Sequence, residues 1–96
     1  METEYVLQKL DEIKHPAIDY SLIKLGILTD IQFNNNTLKA VFAFPFQNIP
    51  IAEHLISSVT IKAKEMDLVF NYTTRVMNQK ERERFLQLEG EAWRGL

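Results

Sequence analysis

His15 and His54 are the only imidazoles in the chain, and no cysteine accompanies them. His15 stands four residues before Asp19, close enough in a loop for an imidazole and a carboxylate to work as an acid–base pair. Neither histidine has a second ligand at metal-binding spacing, so solvated or loop-structural roles compete with that reading. Glu53-His54 falls off the apolar stripe of a helix and reads as surface. The three glycines, Gly26, Gly90 and Gly95, form no phosphate-cradling loop. Ser57-Ser58 lies in mid-helix and lacks the strand–turn–helix elbow that activates a serine nucleophile. Asp11-Glu12 belongs to a charged helix face. Without cysteine there is no disulfide, thiolate ligand or thiol nucleophile. The residue inventory thus points away from enzymatic activity and implies no cofactor.

What remains is surface. Phe33, Phe42, Phe44, Phe70 and Tyr72 could stack on bases, but no flanking Lys/Arg or RNA-binding signature supports this, and they read as core. Pro45-Phe46-Gln47-Asn48-Ile49-Pro50 places Phe46 and Ile49 in a loop that leads into a helix, a common position for a partner or ligand site. The alternative is that both side chains fold back as a lid on the sheet. Trp93 is either an exposed anchor on an amphipathic helix or packs on its own domain. The candidate surface is therefore His15, Phe44, Phe46, Gln47, Asn48, Ile49 and Trp93.

These residues must be positioned by one domain, since 96 residues suffice for a single modest core. The chain is 46% hydrophobic and 25% charged, with a net charge of -2, so no global field draws it to nucleic acid or an anionic membrane. No apolar run approaches the roughly 18–20 residues of a membrane span, and the start Met1-Glu2-Thr3-Glu4-Tyr5 is acidic, unlike a signal peptide. A cytoplasmic location is expected.

Val6, Leu10 and Ile13 recur at helical spacing behind Thr3, a cap candidate, and Pro16 should end this helix near Lys14. Leu22, Ile23 and Leu25 form a short turn before Gly26. Ile27, Thr29, Ile31 and Phe33 then alternate with Leu28, Asp30, Gln32 and Asn34, Asn34-Asn35-Asn36 marks a turn, and Leu38, Ala40, Phe42 and Phe44 alternate again. This predicts a β-hairpin over 27–44. Asn48 as cap and Pro50 in the first turn introduce a helix over about 50–64, with Ala52, Leu55, Ile56, Val59 and Ala63 on its apolar face. Leu68, Phe70, Tyr72 and Thr74 make a third strand. Asn78 and Glu81 form a capping box that opens a helix from Gln79 to about Trp93, with Phe85, Leu88 and Ala92 inward. The order is α-β-β-α-β-α, an α+β two-layer sandwich with helices on one face of a three-stranded sheet. Residues 1–76 form the α+β unit, and 77–96 an amphipathic helix that is either part of it or a partner-binding tail.

This order and spacing resemble the iron–sulfur cluster assembly (FSCA) domain, the metal-sulfur cluster biosynthetic family that includes PaaD-like proteins. Ile13-Lys14-His15-Pro16-Ala17 is similar to the family's first loop at the proline. Leu22-Ile23-Lys24-Leu25-Gly26-Ile27-Leu28 is similar to its Leu-Gly segment, and Ala43 to Pro50 occupies its third loop. The resemblance covers about residues 5–76. Its polar groups are replaced: the family's cysteine would fall at Ile49 or Asn48, its aspartates at His15 and Lys24, its threonine near Phe44. A cluster ligand needs a soft thiolate, and the chain offers none. The resemblance therefore implies the fold and a protein partner, with cluster-assembly machinery the first candidate, in a non-enzymatic accessory or adaptor role. A generic interaction or homodimerisation module is the alternative.

Overall fold

The computed structural model describes residues 1–95. Along them run α1 (Thr3–Leu10), β1 (Leu28–Asn34), β2 (Thr37–Phe44), α2 (Ala52–Glu65), β3 (Val69–Val76) and α3 (Gln79–Ala92). The sheet order is β1-β2-β3, antiparallel between the first pair and parallel between the second. The fold is thus the α+β class expected, α-β-β-α-β-α, and α2 supplies the crossover that parallel neighbours require. Leu38, Ala40 and Phe42 on β2 meet Val6 and Leu10 of α1 and Leu55, Val59 and Ala63 of α2 in one buried core.

The hairpin forms as the asparagines dictate. Asn35 and Asn36 both take positive φ, 50° and 62°, which is the two-residue turn whose twist matches the flanking strands. Strand β1 departs from the alternation expected of it. Leu28 pairs with Phe42 and Phe33 with Leu38, with a register shift between Thr29 and Gln32 and Asp30 at φ 50°. The bulge inserts one residue and so changes which side chains share a face. Leu28, not Thr29, joins Ile31 and Phe33 on the face of Phe42. Ile27 and Ala43 lie on the opposite face, yet both are buried, so this end of the second face is also closed.

Three helix boundaries differ from the sequence expectation, and the first has a visible non-local cause. Helix α1 stops at Leu10 rather than near Lys14, because Ile13–His15 turns extended and bonds Tyr20–Leu22: His15 N–H donates to Tyr20 O (3.1 Å) and Leu22 N–H to Ile13 O (2.9 Å). Thr3 lies inside the helix behind the N-cap residue Glu2, which makes no side-chain cap. Helix α2 starts at Ala52 with Ile51 at the cap position, so Pro50 precedes the helix and Asn48 does not cap it. Asn48 instead bends the loop at φ 57°.

The capping box of α3 is present as expected. Asn78 Oδ1 accepts the Glu81 N–H at 2.9 Å, and Asn78 N–H donates to Glu81 Oε1 at 2.9 Å. Arg75 grips the same carboxylate through both guanidinium nitrogens, at 2.7 and 2.9 Å. Those bonds hold the Glu81 carboxyl at about 2, first through Arg75 and then through the Asn78 amide. The far end of α3 is tied to the loop after α1: Asp19 N–H donates to Ala92 O (2.9 Å) and Arg94 N–H to Ala17 O (2.8 Å). Phe85 and Leu88 are buried in the common core.

Candidate functional site

At the C-terminal end of β2 the 15–17 loop, the 44–51 segment, α2 and α3 enclose a hollow of about 260 Å³. Its walls are apolar: Ala17 and Ile27 at one side, Phe44, Pro45, Phe46, Ile49, Pro50 and Ile51 along the loop, Leu55 from α2, Phe85 and Trp93 from the last helix and its end. His15 and Glu89 are the polar side chains at its border. A concave apolar site with few polar groups is the usual form of a recognition pocket.

Each element delivers its residue for a local reason. Phe44 closes β2 on the inward face, stacked on Phe42 with ring centroids 6.1 Å apart. The chain then leaves the sheet through Pro45, whose carbonyl accepts the Arg82 Nε–H at 2.7 Å. Arg82 also donates to Met77 O at 3.0 Å and lies 5.6 Å from the centroid of the Phe46 ring. One guanidinium thereby fixes the loop backbone and faces the exposed ring, a cation–π arrangement. Phe46 is 50% exposed and Trp93 55%, whereas Ile49 is half-buried against the core. The lid and the free surface are therefore divided between neighbouring residues: Ile49 folds back, Phe46 does not. Trp93 likewise has its backbone bridged to Ile18 while its ring faces outward.

Five of the candidate residues, His15, Phe44, Phe46, Ile49 and Trp93, meet at this hollow. Gln47 and Asn48 do not. They line a neighbouring groove against Thr74, Arg75 and Val76 of β3, which Phe44, Phe46 and Ile49 also border. Arg82, Phe85 and Glu89 were not singled out from the sequence. Phe85 and Arg82 are three residues apart, so they share a helix face, and that spacing was the available signal.

His15 and Asp19 make no hydrogen bond to each other, and each side chain has other partners. The Asp19 carboxylate accepts from Lys14 Nζ at 2.9 Å, with Arg94 at 3.7 Å, and Lys14 holds its carboxyl below the ordinary range. His15 Nδ1 instead accepts the Ala17 N–H at 3.0 Å. Burial, and then the nearby His54, push the His15 imidazole below its ordinary value of 6.5. Protonation would place a hydrogen on Nδ1 and break the bond to Ala17. A depressed imidazole means that the unfolded chain binds the proton more readily, so stability is full above about pH 6.5 and falls as pH drops toward the folded value. Urea titrations at stepped pH should show His15→Gln losing less stability than wild type across that window; parallel curves would refute the assignment.

Among the described residues, no three His, Cys, Asp or Glu side chains converge as a metal site, and no helix is long and apolar enough to cross a membrane. No known family matches the sequence, and no curated protein does. A solved structure does match in shape: the crystal structure of the domain of unknown function DUF59 from Bacillus anthracis superposes with a TM-score of 0.62, over 88% of this chain and 89% of that one, at 16% identity. The fold is similar to that of a DUF59 domain.

Proposed function

We propose that this chain is a non-enzymatic accessory domain of the iron–sulfur cluster assembly type, which works by protein contact through the apolar hollow. The observation that carries the reading is the placement of the Pro45–Pro50 loop: the segment that corresponds to the family's cysteine loop forms a wall of the hollow. The likeness to a DUF59 domain, a member of the metal-sulfur cluster family, supports the cluster-assembly context. The side chains there do not fit a cluster. The family's cysteine would fall at Ile49 or Asn48, and the chain has no cysteine, while Fe–S centres are held chiefly by thiolates. What the loop offers instead is an exposed aromatic ring beside an apolar concavity, the arrangement by which one protein takes hold of another.

Affinity capture from cells of the source organism tests this. The folded wild-type chain should retain a protein of the iron–sulfur assembly machinery, and Phe46→Asp should lose it while keeping its circular dichroism spectrum. Capture of no such component by folded wild type overturns the reading. So does anaerobic reconstitution that gives the chain a stoichiometric, coloured Fe–S centre of its own.

A further inference from the structure

The sheet has two edges, and the chain treats them differently. The β1 edge carries the bulge between Thr29 and Gln32, with Asp30 in left-handed backbone, a device that blunts an edge against pairing. The β3 edge has no such protection. Its register with β2 runs unbroken from Thr37↔Val69 to Phe44↔Val76, and Val69–Val76 contains no proline and no lysine. Its one charge, Arg75, is taken up by Glu81. All residues of the strand but Phe70 are exposed, and Val69, Tyr72 and Val76 count among the large apolar side chains left in solvent.

The backbone bonds fix which groups remain free. Val69 N–H donates to Asn36 O (2.9 Å) and Met77 N–H to Phe44 O (2.8 Å). These mark the two ends of the uninterrupted parallel ladder, along which alternate residues face β2. The N–H and C=O groups of Phe70, Tyr72, Thr74 and Val76 therefore point away from the sheet.

We infer that β3 pairs antiparallel with β3 of a second copy, about a two-fold axis at Thr73. Only this register matches all four outward residues with one another: Phe70 lies opposite Val76 and Tyr72 opposite Thr74, each pair exchanging both backbone bonds. Those pairs put an aromatic against a β-branched side chain on the helix-bearing face, a favourable cross-strand combination. On the other face Asn71 stands opposite Arg75 and Thr73 opposite Thr73, so no like charges meet. The strand is complementary to itself in hydrogen bonding, in shape and in charge, which is what an isologous interface requires. The two sheets become one continuous sheet, and the hollow at the end of β2 remains outside the contact.

Sedimentation velocity on the intact chain over a dilution series from about 1 mM to 1 µM, the range of weak to moderate affinities, reads the association directly. Wild type should pass from dimer to monomer across it. Thr73→Lys places two ammonium groups at the axis and should weaken the dimer by at least about tenfold; Thr73→Glu should do the same, and an equimolar mixture of the two variants should restore it. Thr74→Pro removes one outward N–H, which an edge strand tolerates, and should also yield folded monomer. A wild-type chain that is monomeric at the highest concentration overturns the inference, including the case where the edge pairs only with an extended segment of another protein. So does a dimer indifferent to Thr73→Lys and Thr74→Pro. These outcomes do not decide the assembly-partner reading, whose capture assay is scored separately, with folded Thr73→Lys expected to retain the partner that Phe46→Asp loses.

Discussion

Phe42→Ala should lower the stability of the chain by about 3–5 kcal/mol, the usual cost of deleting a buried aromatic side chain. Phe42 is fully buried at the centre of the middle strand. Its ring stacks on Phe44 and meets Phe70 and Tyr72 edge-on, with centroids 6.2 and 5.4 Å away. It also pairs with Leu28 across the hairpin and with Thr74 across the parallel ladder. Removal therefore opens a cavity between both strand pairs and α2, where close-packed neighbours collapse only in part. Against a total of about 5–15 kcal/mol for a domain, this takes a large share of the stability. At about 4–8 °C per kcal/mol for a chain of this size, the thermal midpoint should fall by more than ten degrees. Urea melts of wild type, Phe42→Ala and the exposed-site control Lys39→Ala measure it; a loss below about 1 kcal/mol, within the spread of ordinary substitutions, would mean that the core is not centred on this ring.

What could be read from the sequence divides by whether the deciding interaction is local. Asn35-Asn36 sets its own turn, and Asn78 and Glu81 bond each other, so the hairpin and the start of α3 were legible from those residues alone. Asn48 shows the opposite case. Asparagine suits a helix cap and a left-handed bend about equally well, and the choice fell to the bend, where Arg82 holds the Pro45 carbonyl from thirty-seven residues away. Likewise Ile13 continues the helical spacing of Val6 and Leu10, yet the backbone of Ile13 and His15 is claimed by Leu22 and Tyr20. The bulge at Asp30 depends on pairing with β2, which no pattern along β1 alone reveals. For the hollow, Phe46, Ile49 and Trp93 stood out by type and by place in a loop or at a helix end, while their exposure stayed open until the fold was known. Phe85, on the apolar stripe of α3, read only as core, although it is both core and wall.

Trp93→Ala should separate binding from folding. The Trp93 ring is more than half exposed, so its loss removes little packing and should change stability by less than about 1 kcal/mol, as for other surface substitutions. The residue is nonetheless held in place. Its neighbours Ala92 and Arg94 bond Asp19 and Ala17 through the backbone, so the ring projects from a fixed support. A partner then does not have to order the chain before using it, and little conformational entropy is lost on contact. Exposed, pre-positioned tryptophan next to an apolar hollow is the usual make-up of a binding hot spot, worth about 2 kcal/mol or more, which is roughly 30-fold in affinity. Phe85→Ala supplies the contrast. Phe85 is buried, so its removal should cost about 3 kcal/mol or more of stability and weaken binding through the loosened attachment of α3. Titration of each folded variant against a captured assembly partner, beside urea melts of the same samples, distinguishes the two. Trp93→Ala should bind at least about 30-fold more weakly at near wild-type stability. Equal affinity for Trp93→Ala and wild type would remove the C-terminal end of α3 from the contact surface and leave the 45–50 loop to carry it.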